Sequence, residues 1–117
     1  MSKPYDLEER TFLFAKEIRK LISELKKTIN VIEDGKQLIR SSGSVAANYI
    51  EANEHLSNKD FAYRLKICKK EAKESIPWLR LLKTEKNLNN HKKIDQLIQE
   101  CTELKLIFSS IIHKRQS

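Results

Sequence analysis

The stretch Gln37–Leu82, QLIRSSGSVAANYIEANEHLSNKDFAYRLKICKKEAKESIPWLRLL, decides how this chain folds. Its first half sets small and polar residues at helical spacing. Its second half is a lysine-laden segment whose apolar residues fall on two separate faces. Val31, just upstream, shares one face of a 3.6-residue helix with Leu38, Val45, Tyr49, Ala52 and Leu56. The run Ser41-Ser42-Gly43-Ser44 has poor helix propensity and would suit a loop. The apolar phase is the same on either side of it, so one continuous helix is predicted from a Thr28 cap to about Leu56. Ser57, with Asp60 three residues on, resembles a capping box and opens a third helix that runs to about Lys86.

Working outward, Asp6 reads as an N-cap with Glu9 behind it. Phe14, Ile18, Leu21 and Leu25 then recur at three- and four-residue steps, giving a first helix over about residues 7–26. Asn87 to Asn90 make a polar connection. Beyond it, Ile94, Leu97, Cys101, Leu104, Phe108 and Ile111 alternate three and four residues apart, which is a heptad seam. Four amphipathic helices joined by short connections pack most simply as an up-down-up-down four-helix bundle. The expected architecture is therefore all-α, with residues 1–117 as a single domain too short for a separate catalytic lobe. Two glycines and two prolines leave little for a turn-rich β fold.

At about 100° per residue, the third helix has three surfaces. Phe61, Leu65, Cys68, Ala72, Ile76 and Leu79 form the face expected in the core. Tyr63, Ile67, Trp78 and Leu81 lie a third of a turn or more away, with Glu71 and Glu74 among them. A bundle helix needs only one apolar face, so this second one requires a cover, and another copy of the chain is the economical candidate. Lys59, Lys66, Lys70, Lys73 and Arg80, with Lys69 beside them, make the third surface. The formal charge is +7, and residues 1–56 carry nine basic and nine acidic side chains against fourteen and seven in residues 57–117. The whole excess thus sits in the half that holds this stripe, which favours nucleic-acid binding through phosphates over any base-reading contact. The rival class is an interaction scaffold docking an acidic protein, which would depend less on salt.

Ser41, Ser44, Asn48, Glu51 and His55 line a polar face of the second helix, with Arg40 beside it. Facing Glu71 and Glu74, these residues would form either a polar network that serves assembly or a small anion site. Glu51, His55, Glu71 and Glu74 also invite a di-metal reading, but such bundles use Glu-x-x-His motifs and this chain has none. Cys68 and Cys101 lack Cys-x-x-Cys spacing and read as buried free thiols; His91 and His113 have no nucleophile at useful spacing. No catalytic residue, metal or cofactor is expected, and the chain reads as a non-enzyme. It has no apolar run of roughly 18–20 residues and no apolar signal core in MSKPYDLEER, which makes it an expected cytoplasmic protein without membrane contact.

Three groups of residues carry a family likeness: Gln37-Leu38-Ile39-Arg40-Ser41; Ser44-Val45-Ala46-Ala47-Asn48-Tyr49 with Glu51-Ala52; and Lys70-Glu71-Ala72, Glu74-Ser75 and Trp78-Leu79. With FAKEIRKLI in the first helix, they make nearly the whole chain resemble the four-helix bundle family of bacterial 23S rRNA intervening-sequence proteins, which also includes accessory variability determinants of diversity-generating retroelements. The resemblance implies a non-enzymatic basic protein assembling into a cyclic, barrel-like homopentamer, with rRNA, another nucleic acid or a protein as partner. Pro77 departs from the family pattern, and a kink there would tilt Trp78.

Overall fold

The computed structural model describes residues 6–116. Among them the chain forms four α-helices and no strand: α1 (Leu7–Glu24), α2 (Ile29–Asn53), α3 (Asn58–Leu82) and α4 (His91–Gln116), with a 3-10 helix at Glu85–Asn90 before α4. α1 packs on α2, α2 on α3, α3 on α4, and α4 closes on α1; the α2–α3 pair is the most extensive and the α1–α4 pair the thinnest. The resulting body measures 46 × 26 × 20 Å.

Two helix starts follow the sequence. The Thr28 hydroxyl accepts the Val31 N–H at 3.2 Å, and Ser57 accepts the Asp60 N–H at 3.1 Å, each satisfying one of the orphan donors of a first turn. The Asp60 carboxylate accepts the Leu56 N–H at 3.3 Å. Asp6, by contrast, makes no side-chain cap, and α1 begins with Glu8 and Glu9 in its first turn, where negative charge suits the helix dipole.

Helix ends are shorter than the periodicity implied. α1 stops at Glu24, α2 stops at Asn53, and Leu56, expected on the core face of α2, is 95% exposed in the connection. α3 ends at Leu82 and not at Lys86, because a second cap follows. Thr84 accepts the Lys86 N–H at 3.3 Å, while Asn87 accepts the Thr84 N–H at 3.0 Å and donates to the Leu82 carbonyl at 2.6 Å. Asn87 itself leaves helical geometry, at φ −131° and ψ 43°. His91 Nε2 donates to the Thr84 carbonyl at 2.6 Å, which gives that histidine a structural task.

α2 passes unbroken through Ser41–Ser44 because the serine hydroxyls find partners on the helix itself. Ser41 and Ser42 donate to the carbonyls of Leu38 and Ile39 at 3.4 and 3.3 Å. Ser41 also meets Ser75 of α3 at 2.7 Å, and both side chains are fully buried. Ser75 thus takes the core position expected for Ile76, which is half-buried. On α4 the buried seam runs Ile94, Leu97, Cys101, Leu104, Phe108 and then Ile112 in place of Ile111. A strict heptad drifts about 20° per repeat on a straight helix, so the later residue rotates into the core.

α3 is continuous through Pro77, whose ring lies on the exposed side. The Lys73 carbonyl deprived of its partner shares that exposed side, which leaves it open to solvent. Trp78 stays half-buried against the core, its indole N–H donating to Glu74 at 3.2 Å. The thin α1–α4 seam is reinforced by Arg10, which donates to Glu100 at 2.8 and 2.7 Å and to Glu103 at 2.9 Å, and by an ion pair between Lys93 and Glu17.

Cys68 and Cys101 are buried and free, and burial pushes each thiol up to about 12. In the folded protein neither should react with a thiol-exchange reagent at pH 8, whereas both should titrate after unfolding in guanidinium. Because the unfolded thiols ionise near their ordinary value of 9.0, stability contributed by these groups is intact below that pH and falls as pH rises toward about 12. Rapid native labelling of two thiols per chain would contradict this packing.

Candidate nucleic-acid interface

Lys59, Lys66, Lys69, Lys70, Lys73 and Arg80 all project from α3 on the side away from Phe61, Leu65, Cys68, Ala72 and Leu79. Every one is exposed. Among the described residues, none of the six makes an ion pair or a side-chain hydrogen bond. The stripe is therefore a set of uncompensated cations on a rigid helix.

Two carboxylates flank the stripe, and α2 occupies both. Arg40 donates to Glu71 at 3.2 and 3.3 Å and pairs with Glu74 as well. Hydrogen bonds to Glu71 and then Glu74 hold the Arg40 guanidinium above its ordinary value. Burial works to raise the Glu74 carboxyl, but hydrogen bonds from Arg40 and Trp78 overcome it and hold the group low, so it stays ionised and paired until the pH falls through that depressed value. Ser44 donates to Glu71 at 3.3 Å, Asn48 donates to the Ser44 hydroxyl and carbonyl at 3.0 and 2.9 Å, and Arg64 donates to Asn48 at 3.1 Å.

The structure thus joins Arg40, Ser41, Ser44, Asn48, Glu71 and Glu74 along the α2–α3 seam, with Ser75 and Arg64 added. Glu51 is a correction: it is exposed, and no bond links it to the others. Its place on α2 turns it past the seam toward water. His55 turns Nδ1 to the Ala52 carbonyl at 2.8 Å and sets its ring edge against Phe61 at 5.0 Å. Among the described residues, no three His, Cys, Asp or Glu side chains gather as metal ligands.

The four apolar residues of the second face divide into two kinds. Tyr63 and Leu81 are 60% and 56% exposed, whereas Ile67 and Trp78 are half-buried. A second exposed apolar pair lies on the α1–α2 side, where Phe12 is 51% and Ile50 42% exposed.

Lys105 of α4 is the basic residue that sequence reasoning missed. With Lys70, Lys73 and Arg80 it lines a shallow α3–α4 cleft of about 570 Å³, floored by Ile76 and Pro77; the one carboxylate there is Glu74, already held by Arg40. Lys105 follows core residue Leu104, so only the packing of α4 on α3 shows that it joins the stripe. A groove of about 320 Å³ between α1 and α4, and one of about 250 Å³ where the α1–α2 and α3–α4 connections meet, have mixed charge.

No curated protein sequence matches the chain. A crystal structure of a protein of unknown function from the S23 ribosomal protein family of Bacteroides thetaiotaomicron is similar to it, with a TM-score of 0.78 and 29% identity over 96% of this chain and 99% of that one. The family model for the 23S rRNA-intervening sequence protein matches residues 4–110, and that span includes the whole α3 stripe and all but the end of α4. The chain therefore belongs to the 23S rRNA-intervening sequence protein family.

Proposed function

We propose that this is a non-enzymatic, cytoplasmic helical-bundle protein that self-associates as a ring, five copies being what the family resemblance implies, and binds nucleic acid, RNA in the first instance, through α3. The observation that carries it is the row of exposed, unpaired cations, beside which Arg40 engages both Glu71 and Glu74 and offsets part of their negative charge. Free Lys and Arg on a polyanion release condensed counterions, which drives binding without reading bases. The family description, naming an intervening sequence of 23S rRNA, supports the same direction. Among the described residues no helix is long and apolar enough to cross a membrane.

Affinity for mixed RNA and DNA, titrated at several salt concentrations, tests the proposal. A steep linear fall of log affinity with log salt supports it. Absence of binding at low salt defeats it and leaves the scaffold docking an acidic protein as the reading to pursue. Arg40 supplies a second prediction. Replacing it by glutamine frees Glu71 and Glu74 beside the stripe, so affinity should fall roughly three- to tenfold at low salt, and less at high salt where the Debye length shrinks. An unchanged low-salt affinity would show that the clamp has no part in the surface potential.

A further inference from the structure

We propose that this surface takes the phosphate backbone of a double helix in preference to a single strand, an inference that rests on the nucleic-acid reading above. Lys59, Lys66, Lys73 and Arg80 follow one another at seven-residue intervals. An α-helix sets such residues about 10 Å apart, along a line of roughly 31 Å. Seven residues fall about 20° short of two full turns, so the line drifts slowly around α3. The drift is toward α4, where Lys73 and Arg80 share the cleft with Lys105.

This platform is fixed before any ligand arrives, because α3 is packed between α2 and α4 and continuous from Asn58 to Leu82. A row of cations anchored on a fixed backbone suits a ligand whose own charges are likewise held in place by its structure. A duplex carries one phosphate charge per ~1.7 Å of axis with both strands counted, so about nine base pairs lie along the row and the cations can meet phosphates where a backbone faces α3. A single strand has to be straightened onto the row, and proteins that bind single strands offset that ordering by stacking bases on aromatic rings. The exposed neighbours of the row on α3 include Tyr63, Lys69, Lys70 and Pro77, so one aromatic ring stands beside it where a single-strand platform would line up several. That ring is Tyr63, 60% exposed, with the Arg64 guanidinium 6.0 Å from its centroid. Flanked on both sides, α3 also cannot enter a major groove as a free recognition helix does, which confines it to the backbone.

Fluorescence anisotropy with the full chain tests this, using a 20-base-pair RNA duplex, a DNA duplex of matching sequence, and the separate unpaired strands at equal salt. Each duplex should bind at least tenfold tighter than its strands, and a six-base-pair duplex, shorter than the row, should bind more weakly than a twelve-base-pair one by more than the smaller number of binding positions accounts for. The pair Lys70→Glu and Lys105→Glu, on opposite walls of the cleft, should weaken duplex binding at least tenfold. Strands that match or exceed the duplexes, or a cleft pair without effect, would overturn the proposal. Failure of every nucleic acid to bind would instead defeat the nucleic-acid reading on which it rests.

Discussion

Reversing Lys66 and Lys73 to glutamate should lower nucleic-acid affinity about fifty- to a hundredfold at ~0.1 M salt, across unrelated sequences alike. Every phosphate that is no longer neutralised takes roughly 0.7–0.9 off the slope of log affinity against log salt, so the pair should flatten that slope by about 1.4–1.8. The fold should be indifferent to the change. Both side chains are exposed and unpaired, and surface substitutions of this kind usually shift stability by less than about 0.5 kcal/mol. Total charge must be separated from location, and Lys16 and Lys20 serve that purpose. They are exposed on the outer side of α1, which stands diagonally across the bundle from α3. Lys93 is unsuited as a control because it is already paired with Glu17. A Lys16→Glu and Lys20→Glu protein should lose less than tenfold. Equal losses in the two variants would place the binding elsewhere than on α3.

What could be read from sequence was what short-range geometry decides. Thr28 and Ser57 were legible as caps because each side chain and the N–H it accepts lie three residues apart. The continuity of α2 through its serines was legible for a similar reason, since apolar phase is a property of one helix. Positions settled by a partner helix were not. Ser75 is in the core, ahead of the more apolar Ile76, because it faces Ser41, 34 residues away. Glu51 shares the periodicity of Ser44 and Asn48 yet misses the seam, since periodicity gives a face only to within an arc. The end of α3 lay in a cap belonging to a different element, the Thr84–Asn87 pair of the 3-10 turn. Of the candidate surface, the α3 stripe was visible in one helix's spacing, whereas Lys105 needed the packing of α4 on α3.

Self-association should show as a particle severalfold larger than the 13.7 kDa chain in light scattering at micromolar concentration. The residues that test it are Tyr63 and Leu81. Trp78 packs partly on its own core, so a charge there would confound assembly with unfolding. Tyr63→Glu with Leu81→Glu should dissociate the particle while leaving helicity intact, because a desolvated aromatic anchor often accounts for about 2 kcal/mol or more of an interface and two buried charges would oppose it further. A ring imposes a further condition: its interface is heterologous, so one patch must meet a different patch on the next copy. Phe12 and Ile50 supply a candidate for that second patch. The Asn53 amide donating to Glu8 at 2.8 Å, and Arg19 donating to the Ile39 carbonyl at 3.3 Å, fix the α1–α2 register so that Phe12 lies level with Ile50. Phe12→Glu with Ile50→Glu should therefore also yield monomers. Mixing the two variants should regenerate a one-to-one pair, since each retains the patch the other lacks. Two variants that stay monomeric when mixed would refute the head-to-tail ring, and a wild-type chain that is itself a monodisperse monomer would refute assembly altogether.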